Sequence, residues 1–97
     1  MVKPYYLKGF VINERLVESI TAYIDYGRPV GDFLKAVICN DLRLAVARAD
    51  ETNLQNLPAF AGFFFNKAPA TCWGSAERYS DWLSHKGYEG YDNNSTD

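Results

Sequence analysis

Asn66-Lys67-Ala68-Pro69-Ala70-Thr71-Cys72-Trp73-Gly74-Ser75-Ala76-Glu77-Arg78-Tyr79-Ser80-Asp81-Trp82-Leu83 packs a helix stop, an aromatic-bearing turn and a helix start into one short stretch. Pro69 cannot continue a helix, Gly74 permits a sharp reversal, and Ser75 can accept from the amides that follow it. Cys72 and Trp73 sit where ordinary connectors are polar. The stretch therefore reads as a corner pinned to a core, with Trp73 and Trp82 as anchors. It turns one helix, ending at Asn66, into a last helix from Ala76 to Lys86 that buries Tyr79, Trp82 and Leu83.

The same punctuation recurs upstream. Asn13 can cap a helix over Glu14–Tyr26 with Leu16, Ile20, Tyr23 and Ile24 on one face; Gly27 stops it and Pro29 follows. Asp32 can cap a second helix, Phe33–Cys39, which is apolar on most sides and so belongs in the middle of the fold. Asn40 can take the left-handed conformation, and Asp41 can cap a third helix over Leu42–Ala49. There Leu42, Ala45, Val46 and Ala49 are expected to face inward, with Arg43, Ala47 and Arg48 outward.

Either Asp50 or Thr52 can cap the fourth helix, Thr52 with Gln55 at capping-box spacing. Pro58 then divides two readings. A helix over Glu51–Phe65 would be kinked at Pro58; a start near Leu57 would make Pro58 a first-turn residue. The stripe Leu54, Leu57, Ala61 and Phe64 favours the longer, kinked helix.

The expected fold is all-α: a compact orthogonal bundle of about five short helices over residues 13–87. Residues 1–12, where Tyr5, Tyr6, Leu7, Phe10, Val11 and Ile12 surround Gly9, read as an extended arm that packs on the body or pairs with another chain. Residues 88–97 read as a polar, acidic, disordered tail.

Composition excludes several function classes. The 97 residues suit one domain, and 47% hydrophobic with 15% aromatic content is a globular composition. The longest apolar run, Ala59 to Phe65, is far short of a membrane span, and the N-terminus has no apolar run of signal-peptide length. The chain is therefore expected to be cytoplasmic. Net charge is −2, and without the last ten residues ten bases stand against nine acids. No Lys/Arg block exists, which argues against non-specific nucleic-acid binding.

No residue set points to catalysis, a metal or a cofactor. His85 is the only histidine and sits at a helix C-terminus, where the dipole favours a cation. Cys39 and Cys72 form no CxxC pair, and a disulfide between them is disfavoured in a cytoplasmic setting. Cys72 would be reactive only if aimed at the next helix N-terminus or at a cation such as Lys67; otherwise it is a small apolar core group. Glu14/Glu18 and Glu77/Asp81 stand four apart in early helical turns, as solvated acids do. Arg43 and Arg48 could grip a phosphate or carboxylate of a partner, or simply keep the protein soluble.

Phe63, Phe64 and Phe65 give the strongest functional hint. Three successive helical positions sweep about 200° of surface, more than the roughly 100° stripe a surface helix buries. At least one ring must lie under another element, such as the arm, or reach the surface. Phe63 or Phe65, with Tyr5, Tyr6 or Tyr26, would then form an aromatic interface for a protein partner or a second copy.

The run Tyr26-Gly27-Arg28-Pro29-Val30-Gly31-Asp32-Phe33-Leu34, with Asn40-Asp41-Leu42, Ala49-Asp50, Asn53, Asn66-Lys67-Ala68-Pro69 and Cys72-Trp73-Gly74-Ser75, resembles a group of small phage- and prophage-encoded helical proteins without an established activity. The likeness covers roughly residues 20–83; Pro58 and the aromatic arm depart from it. It implies a non-enzymatic accessory factor that binds a host or phage protein, including defence components. The alternative is a small helical nucleic-acid-binding regulator that reads with the third helix.

Overall fold

The computed structural model describes residues 3–88 and 90. Among these, the order is a two-stranded hairpin, β1 (Tyr5–Leu7) and β2 (Phe10–Ile12), followed by six helices. The helices are α1 (Glu14–Tyr26), α2 (Asp32–Ile38), α3 (Leu42–Arg48), α4 (Glu51–Gln55), α5 (Leu57–Lys67) and α6 (Ala76–Ser84). The fold is mostly helical but not all-α, and it has six helices where five were expected.

The expected extended arm is a hairpin because Lys8 and Gly9 both hold positive φ (49° and 90°), the type I′ geometry that matches strand twist. Tyr5 pairs with Ile12, Tyr6 with Val11 and Leu7 with Phe10. This register turns Tyr5, Leu7 and Ile12 toward the body and Tyr6 away from it. The hairpin packs on α5, where Leu7 lies so close to Gly62 that a Cβ there would come within 2.5 Å of Leu7 Cδ2. Asn56 fastens it: its Oδ1 accepts from Val11 N at 2.8 Å while its Nδ2 donates to Thr52 O at 2.8 Å.

Asn56 also marks the second correction. α4 ends at Gln55 and α5 starts at Leu57, with Pro58 in the first turn. A continuous helix would have set the proline ring against the Leu54 carbonyl and lost a hydrogen bond; breaking the helix avoids both costs. α4 is capped by Asp50, whose side chain accepts from Asn53 N at 2.7 Å.

The other caps follow the sequence closely. Asn13 accepts from Leu16 N, Asp41 from Leu44 N and Ser75 from Arg78 N. Asn40 is left-handed with φ 60°. Asp32 departs from expectation: Gly31 is the N-cap of α2, and Asp32 is its first residue, 3.9 Å from Arg48 in an exposed ion pair. α2 buries Phe33, Leu34, Ala36 and Ile38 and packs against α3, α5 and α6, the central position its composition demanded.

The corner after α5 is built as its sequence implied. Pro69 precedes a 3-10 turn at Ala70–Cys72, and Gly74 N donates to Ile38 O at 2.7 Å, tying the turn to the end of α2. Arg78 donates through one guanidinium nitrogen to both Ala70 O and Trp73 O, bracing the turn from α6. Trp82 is fully buried, its Nε1 donating to Tyr23 O and Ile24 O at 3.0 and 3.1 Å, while Tyr23 Oη donates to Cys72 O at 2.7 Å. Left-handed Gly27 and Gly87 (both φ 68°) bring the ends of α1 and α6 into backbone contact; a Cβ on Gly87 would lie 2.6 Å from Gly27 N. α6 stops at Ser84, two residues before the expected Lys86, as His85 and left-handed Lys86 lead into Gly87.

Of the expected tail, Glu89 and residues 91–97 lie outside the described residues. Tyr88 is described, and its ring packs edge-on to Trp82 at 5.5 Å.

Candidate protein-binding face

The three phenylalanines separate as helix geometry requires. Phe64 is buried, and Phe63 lies beneath the hairpin with the Tyr5 ring edge-on at 5.1 Å. Phe63 thus cannot present its ring to a partner while the hairpin is in place, and Tyr5 is half-buried as its cover. Phe65 points outward and is 78% exposed.

The remaining candidates are spread over different elements. Tyr6 is exposed on the outer face of the hairpin, and Tyr26 is exposed at the end of α1 under the Arg28 guanidinium, 5.5 Å from its ring. Arg43 and Arg48 are both exposed but point to different flanks of α3. Arg43 stands beside Asp41 and Ala47, Arg48 beside Asp32 and Lys35. With acids next to both, α3 offers no continuous basic stripe of the kind a nucleic-acid reader uses.

α3 holds what the sequence pattern concealed. Leu42, Leu44 and Val46 are exposed (Leu42 by 68%), and only Ala45 is buried. Leu42 and Val46 were expected to face inward. α3 instead packs on α2 through the small Ala45, which leaves the larger residues on its flanks. No signal in the sequence marks this: α2 is equally short yet buries four residues, so apolar spacing alone does not say which helix is covered.

Between α3 and α5 lies an apolar groove of about 80 Å³, lined by Val37, Leu42, Ala45, Leu57, Ala61 and Trp73 among others. That volume lies between one water and the ~150 Å³ that holds benzene, which suits one aliphatic side chain. Phe65 follows Ala61 by one helical turn on the same side of α5. Leu42 and Ala61 thus line the groove with Asn40 and Asp41, and Val46 and Phe65 stand one helical turn further along α3 and α5.

The Cys72 thiol is withdrawn from solvent, and Cys39 is half-buried. Cys39 and Cys72 are both free thiols. Burial pushes the Cys72 thiol up to about 12, so the thiolate that nucleophilic chemistry needs is suppressed at neutral pH. Desolvation also raises Cys39, against the opposing pull of Lys35. Burial, with Cys72 and Tyr79 nearby, raises the Tyr23 phenol well above its ordinary value. Among the described residues, no three His, Cys, Asp or Glu side chains are grouped to hold a metal ion, and no helix is long and apolar enough to cross a membrane.

No protein-family model, curated protein or solved structure matches this chain.

Proposed function

We propose that this chain is a non-enzymatic accessory protein that works by binding another protein through the α3–α5 face. One observation carries the reading: Leu42, 68% exposed, lines an apolar groove together with Ala61 and Trp73, and Phe65, 78% exposed, stands one helical turn beyond Ala61. A few large apolar anchors around a desolvated pocket supply most of the energy of protein interfaces, and contiguous apolar patches mark such sites. The likeness to small phage- and prophage-encoded proteins suggests the cytoplasm of a bacterial host as the setting. It suggests a host or phage protein, a defence component included, as the partner.

The test is affinity capture from a bacterial lysate with the parent, Leu42→Asp and Phe65→Asp proteins. A specifically retained protein should be held at least about tenfold less by both variants. Their circular dichroism and melting should match the parent, since both side chains already face water. Equal retention by all three proteins overturns the proposal.

A further inference from the structure

The two edges of the hairpin differ. Around a two-residue turn the closing pair, Leu7 with Phe10, exchanges ladder hydrogen bonds, and bonded and unbonded pairs alternate from there. Tyr5 and Ile12 therefore bond to each other, while the amides and carbonyls of Tyr6 and Val11 point outward. On the β2 side the body meets this need, since Val11 N donates to Asn56 Oδ1 at 2.8 Å. On the β1 side no described residue bonds the Tyr6 N–H or C=O, and Tyr6 is 69% exposed. An outward N–H and C=O on an extended edge residue are a template on which another extended strand pairs.

The charge around this edge is one-sided. Residues 1–13 and 52–76, which include the hairpin and the α5 helix it packs on, hold Lys3, Lys8 and Lys67 and no acid, in a chain of net charge −2. All three lysines are exposed, and none forms an ion pair with a described residue. Lys8 stands at the turn and Lys3 beyond the other end of β1, so the open edge runs between two cations. A strand with acids at both ends complements it. A second copy does not: pairing β1 with β1 about Tyr6 would gather Lys3 and Lys8 of both chains on one sheet. It would also set Pro4, which has no N–H, against the turn. The chain's own acids in residues 91–97 follow Gly87, which meets Gly27 at the other end of α1, roughly 20 Å from the hairpin.

We infer that the open edge of β1 takes an extended, acid-bearing segment of another protein as a third strand. This contact is additional to the α3–α5 face and does not depend on it. Main-chain bonds to Tyr6 align the segment. A β-branched or aromatic residue beside the Tyr6 ring, and acids reaching Lys3 and Lys8, select it.

The experiment is an amide NMR titration of the full chain with a capped heptapeptide, Glu-Glu-Thr-Val-Thr-Glu-Glu, and with the same peptide carrying lysine for glutamate. The acidic peptide should shift the Tyr6 amide saturably and leave the Val11 amide, already bonded to Asn56, near its place. It should bind at least about tenfold more tightly than the lysine peptide. Tyr6→Pro removes the outward donor without touching a ladder bond, and Lys3→Glu with Lys8→Glu reverses the local charge. Each variant should weaken binding of the acidic peptide at least about tenfold. No saturable shift at Tyr6, equal affinity for the two peptides, or undiminished binding by the double lysine variant overturns the inference. A Tyr6 amide that moves with the protein's own concentration, or on deletion of residues 91–97, gives the edge to a second copy or to the tail and overturns it as well. A peptide that shifts Leu42 and Phe65 in place of Tyr6, and is lost in Leu42→Asp, overturns this inference and leaves the α3–α5 reading standing. Binding at Tyr6 with lysate capture indifferent to Leu42 and Phe65 does the reverse.

Discussion

The α1–corner–α6 half and the α3–α5 half of this molecule are built on opposite terms. In the first, large side chains are buried and their polar atoms are aimed at particular backbone groups. Trp82 serves two carbonyls at the end of α1, Tyr23 reaches the Cys72 carbonyl, and Gly27 meets Gly87 at backbone distance. In the second half, α3 is joined through the small Ala45 and α5 buries Phe60, Phe63 and Phe64 on one side only, while Leu42, Val46 and Phe65 stand in water. Dense packing joined to directional bonds fixes one structure. Apolar side chains left outside it add little to that structure, and the proposed function assigns them to a partner.

The sharpest way to break the comparison is at Trp82. Truncating a buried tryptophan costs about 3–5 kcal/mol, a large share of the roughly 5–10 kcal/mol that holds a domain of this size. Trp82→Ala should therefore leave much of the chain unfolded, measured by urea denaturation. Trp82→Phe keeps most of the packing but strips the donor from Tyr23 O and Ile24 O, and should cost about 1–3 kcal/mol. If Trp82→Ala melts like the parent, the corner is not what holds α1 to α6.

A smaller effect should appear in alkali. The folded Cys72 thiol keeps its proton up to about 12, whereas an unfolded thiol loses it near pH ~8.5. Below that lower value both states bind the proton, and the stabilisation is fully present. Above it the unfolded chain releases the proton first, so stability should fall by up to about 1.4 kcal/mol per pH unit until the folded value is reached. The buried Tyr23 phenol acts in the same direction from pH ~10 upward. The urea midpoint should therefore drop between pH 9 and 10, and Cys72→Ala should flatten that drop. An unchanged slope would show that the thiol titrates in the folded state.

How legible each half was follows from the same contrast. The corner could be read because Pro69, Gly74, Ser75 and the two tryptophans each have a strong local preference, and those preferences agree. The caps at Asn13, Asp41 and Ser75 were legible for the same reason, as was the central place of α2. The hairpin was missed because Lys8-Gly9 is a weak turn signal beside Asn-Gly, and its register is fixed by Asn56 and Gly62, about fifty residues away. The break at Asn56 lost to a misleading continuity: Leu54, Leu57, Ala61 and Phe64 keep helical spacing across a proline that forbids the helix. Of the candidate site, the angular width of three phenylalanines required that at least one ring be covered by another element or exposed, but not that Phe63 would be the covered one and Phe65 the exposed one. The exposure of Leu42 and Val46 could not be deduced, because spacing identifies an apolar stripe but not whether a neighbour arrives to cover it.

The smallest expected effect is the most telling for the second half. Leu42→Ser and Val46→Ser remove apolar atoms that are already largely hydrated in the single chain, and such surface changes usually fall within about 0.5 kcal/mol. Ala59→Leu, on α5, forces extra volume into a fully buried site and should cost about 1–3 kcal/mol. Urea denaturation at low protein concentration should separate the two classes cleanly. With a captured partner protein bound, the serine variants should gain less stability than the parent, because a bound partner adds its own free energy to the folded state. A gap between Leu42→Ser and the parent that opens only with the partner present would thus report contact at this face directly. A large gap at low concentration would mean that Leu42 already supports the single chain.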